Sequence, residues 1–267
     1  MPKENKSSPR FSKSSLEFIK KASSQKRADW LDKNREEYET LILLPLQNLA
    51  RYLKTELETL APGYHFPQKG IGRLKRPANK TAAGGTLFKN WISYSASLPS
   101  GSRFEHNPLL FFMMNPEDEE GDTVLVAAGL YMPSSRQLRA VREAIAEDAA
   151  PLDRLFATKA FQASFPDGFS DERTSSRVPR GFDPTHPRVQ WLKFQSFFVW
   201  RSYSLRDFSS AGFAETVAKD WKQGLRLNQL LDQAIQGKWK KDISQTQSSP
   251  LSSRLENLDP ISRKLDF

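Results

Sequence analysis

The chain has 267 residues, with 40 Lys and Arg against 31 Asp and Glu, a formal charge of +9, and no cysteine. The missing cysteines exclude disulfides, thiolate metal centres, iron–sulfur clusters and a cysteine nucleophile. The 38% hydrophobic content, with 18 Phe and 6 Trp, suffices for a sizeable core without covalent staples, and the basic balance favours anionic partners.

Residues 1–14 are basic and polar and read as a flexible leader. No apolar run follows them, so neither a secretory signal nor a membrane anchor is expected. A cytoplasmic protein is the expectation. Leu16, Phe18 and Ile19 begin a short apolar segment. Ala28 to Leu44 reads as a helix on Leu31, Tyr38, Leu41 and Ile42. Pro45 interrupts it for want of an amide proton, and Leu46, Leu49, Leu53 and Leu57 resume the pattern to about Leu60.

A loop punctuated by Gly70, Gly72, Pro77, Gly84 and Gly85 follows. Alternation from Phe88 predicts a half-buried strand, with Ile92, Tyr94 and Ala96 opposite Trp91 and Ser93. Leu109–Met114 and Thr123–Met132 read as an antiparallel hairpin around the acidic turn Asn115–Asp122. Ser134 or Ser135 caps a helix to about Ala149 that buries Leu138, Val141 and Ile145. Another helix is expected over Leu152–Phe161. Val189–Tyr203 reads as one long strand with Leu192, Phe194, Phe198 and Trp200 on one face. An amphipathic helix from about Ala211 to Ile235 precedes a polar, Ser-rich, flexible tail, 236–267. The order gives a single α+β domain over 15–235, a mostly antiparallel sheet packed with N-terminal, middle and C-terminal helices.

Between Glu58 and Glu105 there is no acidic residue, while Lys69, Arg73, Lys75, Arg76, Lys80, Lys89 and Arg103 fall in that interval. Surfaces normally intersperse both signs, and a long one-sign interval attracts anions. Arg73, Lys75, Arg76 and Lys80 on a glycine-bearing loop, with Lys89 on the next strand, are placed to offer guanidinium forks and backbone amides to phosphate oxygens. The plainer reading is a solvated basic surface. The proline-stiffened loop Arg177–Arg188 supplies a second set. Arg177, Arg180 and Lys193 would complete the pocket, with His186 as an acid–base candidate, or else as a turn residue bonded to backbone.

Other constellations read as structural. Arg136, Arg139 and Arg142 recur on one helix face and are expected to pair with Glu143 and Glu147. Phe194, Phe197, Phe198 and Trp200 are expected in the core, and Asp29 favours a helix dipole. His65 and His106 lie far from His186 in sequence, and no metal or cofactor is expected. Neither a GxxxxGK[ST] loop nor a GxSxG elbow occurs. The expectation is a protein that binds a nucleic acid or a phosphorylated small molecule through one pocket, with no membrane role. An enzyme acting on a phosphorylated or acidic substrate through His186 is one alternative, and a module for an acidic protein partner is the other.

Three blocks resemble the microbial family catalogued as domain of unknown function 2461. They are Lys26-Arg27-Ala28-Asp29-Trp30-Leu31 with Asn34-Arg35 and Tyr38; Gly129-Leu130-Tyr131-Met132-Pro133 with Leu138 and Arg142; and Pro179-Arg180-Gly181-Phe182 with His186-Pro187, Leu192-Lys193 and Phe197. They span roughly residues 16–235. The family's central basic signature is similar to Arg73–Lys80 and Thr86–Lys89 here, but both of its aspartates are missing. The resemblance implies a shared α+β fold and no particular activity.

Overall fold

Period-two patterning builds the sheet. In the computed structural model, which describes residues 10–82, 85–100, 105–118 and 121–239, strands β1 (Ile92–Ser97), β2 (Leu109–Asp118), β3 (Gly121–Leu130) and β4 (Phe197–Tyr203) form an antiparallel sheet in sequence order. Leu110, Phe112 and Met114 of β2 stand opposite Ala128, Val126 and Val124 of β3, and all six are buried. Ile92, Tyr94 and Ala96 of β1 join that inner face, as the alternation predicted. The antiparallel hairpin forms as expected, but the turn is shorter than Asn115–Asp122, because β2 runs on to Asp118 and β3 begins at Gly121 and ends at Leu130.

Helices accompany this sheet, and the last and longest of them packs on its inner face. They are α1 (Lys13–Ser23), α2 (Trp30–Lys33), α3 (Arg35–Tyr38), α4 (Leu44–Leu57), α5 (Ala78–Ala82), α6 (Ser135–Glu147), α7 (Ala150–Phe156), α8 (Lys159–Ser164), α9 (Val189–Lys193), α10 (Leu205–Phe208) and α11 (Phe213–Ile235). The long α11 lies closest to the sheet. Gly224 permits this, because a β-carbon there would stand 2.3 Å from that of Ala128. Three residues earlier, Trp221 stacks on Tyr94 at 5.7 Å and donates its indole N–H to the Phe111 carbonyl. Asp220 is buried beside them, accepts the Tyr203 hydroxyl, and has its carboxyl pushed up by that burial. Phe11, stacked on Phe208 and near Phe112, ties the entry of α1 to the same face.

Several expectations need correction. Pro45 does not interrupt the early helix. A π-helical turn, Glu39–Leu43, runs straight into α4 with Pro45 at its second position. Widening the helix ahead of proline accommodates the ring and the missing donor without breaking the axis. Leu152–Phe161 divides into α7 and α8, because the Thr158 hydroxyl accepts the Phe161 N–H and caps a new helix. Val189–Tyr203 is not one strand: its first five residues form α9, and Phe194 turns the chain into β4. Leu192 is therefore buried from a helix, while Phe198 and Trp200 share the outer face of the sheet. Trp200 is 38% exposed and outside the core, whereas Phe194 and Phe197 are inside it. Ser134 caps α6 as predicted, in a reciprocal pair with Gln137. The expected leader is shorter than 1–14, because Phe11 is buried and α1 begins at Lys13, and the expected tail begins later than 236, because Trp239 is buried; residues 1–9 and 240–267 lie outside the described residues.

Each sheet edge is met at one point by a neighbouring segment, which interrupts the open ladder that invites aggregation. His65 bridges Ser97 on the β1 edge, and Phe169 bridges Val199 on the β4 edge. These two segments are the ones that carry the predicted site residues.

Candidate anion site

The loop after α4 is fastened at both ends, and this positions its cations. His65 donates its backbone N–H to the Ser97 carbonyl at 2.8 Å. Further on, Arg76 donates to Leu87 and Lys89 to Leu74, each at 2.9 Å, closing a small ladder beside β1. Between these anchors the chain turns twice at positive φ, +70° at Gly70 and +73° at Gly72, where side chains other than glycine's are strained. The Tyr38 hydroxyl donates to the Gly72 carbonyl at 3.0 Å. Leu74 and Phe88 are fully buried beneath. The cations are therefore carried on a loop with a hydrophobic foundation.

A cavity of about 200 Å³ opens between this loop and β1. Lys69, Arg73 and Lys89 line it with Gly70, Gly72, Ser93 and Ser95. No carboxylate lines it, and none lies within ion-pair distance of Lys69, Arg73, Lys75, Arg76 or Lys89 among the described residues. Arg76 is held by the Thr86 hydroxyl at 3.3 Å, and the Lys89 ammonium lies 4.5 Å from the Trp91 ring centre. Burial, then the charges of Arg76 and Arg73, push the Lys89 ammonium below the ordinary lysine range. A cluster of like charges, partly desolvated and without counterions, stores repulsion that a bound anion would relieve.

Of the predicted residues, the structure brings Arg73, Arg76 and Lys89 together. It adds Lys69, which the acid-free interval contained, and the serines of the β1 outer face. Nothing in the sequence distinguished Ser93 and Ser95 until the strand register was known. Lys75 is exposed and outside the cavity lining. Lys80 falls in α5, with its side chain outside the described set.

Arg177, Arg180, His186 and Lys193 do not join this cavity. Their segment packs at the β4 edge, where Thr174 bridges Phe194 and Ser175 donates to the Lys193 carbonyl. The sheet order puts β2 and β3 between the two sets, so the single pocket expected from sequence is two separate surfaces. His186 Nδ1 accepts the Arg188 backbone N–H at 3.0 Å. That bond commits one ring nitrogen to the turn, the plainer of the two sequence readings.

The arginines of α6 have separate partners rather than a shared ligand. Arg136 meets Glu105 at 2.6 Å, Arg139 meets Glu143 at 2.7 Å, and Arg142 donates to the Phe194 carbonyl at 2.8 Å. Asp29 is held between Arg27 and Lys33, whose hydrogen bonds keep its carboxyl well below the usual range. A larger depression, about 430 Å³, lies on α2 and α3, but Lys33 there faces Glu36 and Glu37 and the field has no single sign. No described helix is long and apolar enough to cross a membrane.

The family model described as conserved hypothetical protein (DUF2461) matches residues 14–229. No curated protein and no solved structure matches the chain.

Proposed function

The chain belongs to the DUF2461 family, and we propose that it binds an anionic partner by seating one phosphate group in the cavity between the basic loop and β1. The observation that supports this is the convergence of Lys69, Arg73 and Lys89 on a cavity with no carboxylate in its lining. Its volume is small beside the roughly 300–1,000 Å³ of pockets for drug-sized ligands, so it suits a phosphate group better than a whole nucleotide. The rest of the ligand lies outside, over Lys75 and Arg76. The partner is a nucleic acid or a small phosphorylated compound. Arg73 supplies a planar fork, Lys69 and Lys89 supply point charges, and the loop's backbone amides add donors.

Fluorescence anisotropy of a short labelled single-stranded oligonucleotide, at low and near-physiological salt, tests the reading. One phosphate in the cavity and two more over Lys75 and Arg76 predict a log–log salt slope of about −2, displacement by inorganic pyrophosphate, and loss of binding in Arg73→Ala/Arg76→Ala/Lys89→Ala. Equal binding by the triple variant and the parent chain would contradict the site. Pyrophosphate binding without oligonucleotide binding assigns the cavity to small phosphorylated ligands.

A further inference from the structure

The cavity beside β1 has a second wall, made of backbone. β1 is an edge strand of the sheet. In an antiparallel ladder each residue turns its N–H and C=O to the same side, and successive residues alternate. The Ser97 carbonyl accepts the His65 N–H at 2.8 Å from beyond the edge, so the polar backbone groups of Ser97 face away from β2. Those of Ser95 and Ser93 face the same way, and both residues line the cavity. The far edge gives the same parity. Counting across the three registers turns Phe198 outward on β4, and its carbonyl does accept the Ser170 N–H, at 2.9 Å.

A proline keeps these groups open. The bridge between His65 and Ser97 would continue at Pro67 and Ser95, but Pro67 has no amide proton to give the Ser95 carbonyl. The Pro67 carbonyl instead accepts the Gln68 side-chain amide at 3.2 Å. Among the described residues, Ser93 and Ser95 have no backbone partner on this side. The lining therefore combines the positive charge of Lys69, Arg73 and Lys89 with two N–H donors and two C=O acceptors along one strand.

That mixture selects a chemistry. A bare phosphate accepts from the cations and N–H groups but brings no donor for the two carbonyls. An internal stretch of DNA brings none from its sugar either. An added protein strand would run into His65 at Ser97. Hydroxyl groups both donate and accept, so they match the N–H and C=O groups alike. A cavity of about 150 Å³ holds a six-carbon ring, so the cavity of about 200 Å³ has room for a phosphate and a few hydroxylated carbons. We propose that the ligand is a phosphate monoester of a sugar or polyol, with its phosphate among Lys69, Arg73 and Lys89 and its neighbouring hydroxyls on the Ser93 and Ser95 backbone. This rests on the phosphate reading of the same cavity and names the chemistry next to that phosphate. Larger esters continue outward over Lys75 and Arg76.

Isothermal titration of the full chain with inorganic phosphate, propyl phosphate and glycerol 3-phosphate isolates the hydroxyls, since the two esters match in charge and carbon number. The proposal expects glycerol 3-phosphate to bind about tenfold tighter than propyl phosphate. Amide exchange read by nitrogen-15 NMR should be fast at Ser93 and Ser95 in the free chain and markedly slower with glycerol 3-phosphate bound. Equal binding of the two esters would overturn the proposal, and so would exchange at both serines that the ligand leaves unchanged. In either case, binding of inorganic phosphate would still uphold the cavity as a phosphate seat. A single-stranded oligonucleotide that binds more tightly than either ester would overturn the proposal in favour of a nucleic acid. No binding of any phosphate would end both readings.

Discussion

Helix α6 and the edge of β1 carry comparable numbers of cations in opposite circumstances. On α6, each arginine has a specific partner in Glu105, Glu143 or the Phe194 carbonyl. Beside β1, Lys69, Arg73 and Lys89 face a common cavity with no carboxylate, and Lys89 is pushed below its usual range by burial and by its neighbours. The count of cations therefore says little about binding. What separates the regions is that Arg136 and Arg139 already have carboxylate partners, while the cations that line the cavity have none among the described residues.

The largest expected effect is on affinity. Hydrogen bonds to charged groups contribute roughly 1.5–3 kcal/mol each, so Arg73→Ala/Lys89→Ala should weaken pyrophosphate binding about 100-fold or more by isothermal titration. Arg136→Ala/Arg139→Ala should leave it within about twofold, because those charges are already paired. Equal losses in the two double variants would erase the distinction between the regions. Next comes Arg142→Ala, which removes the donor to the Phe194 carbonyl. It should lower stability by about 2 kcal/mol in a urea titration while leaving the affinity intact.

The pH dependence sharpens the contrast further. Sulfate keeps its charge across the accessible range, so changes in its affinity report the protein. Lys89 has a lowered pKa in the free protein, and a bound anion raises it again. Sulfate binding should thus be level near neutrality and fall by about tenfold as pH rises through that lowered pKa, the loss of one charged contact. Binding should be accompanied by proton uptake there. The same shift has a consequence for folding. The unfolded chain holds the lysine proton longer, so stability contributed at this position rises as pH climbs from the lowered pKa towards the ordinary value of 10.5.

The smallest effects differ in sign. Lys89→Met relieves repulsion and desolvation together and should raise stability by about 0.5 kcal/mol. Arg188→Gln breaks a 2.8 Å pair with Asp153 and should lower it by about as much. Thermal unfolding of the two variants side by side checks this, and destabilisation by both would mean that the basic loop holds charges it needs for folding.

Elements whose periodicity is local were legible in the sequence. The hairpin, the α6 cap at Ser134 and the buried face of β1 follow from alternation and from one hydroxyl before an apolar stripe. The failures arose where a local signal has two readings. Five residues of α9 ahead of β4 look like strand when Leu192 and Phe194 are counted at period two, and Pro45 looks like an end until a π turn makes room for it. The acid-free interval disclosed the cations of the site. It could not disclose that β2 and β3 separate them from Arg177, Arg180 and Lys193, because strand order is a long-range property. Trp200 was misplaced for the same reason: its alternation is clear, but only the packing of α11 decides which face is inside.

The most direct measurement is the mapping of backbone amide shifts in nitrogen-15-labelled full-length chain during titration with inorganic phosphate. The account predicts saturable shifts confined to Lys69–Arg73 and Lys89–Ser95, the segments that line the cavity, with α6 and the Arg177–Lys193 segment unmoved. Shifts spread evenly over the surface cations, or absent from the glycine turn, would contradict it.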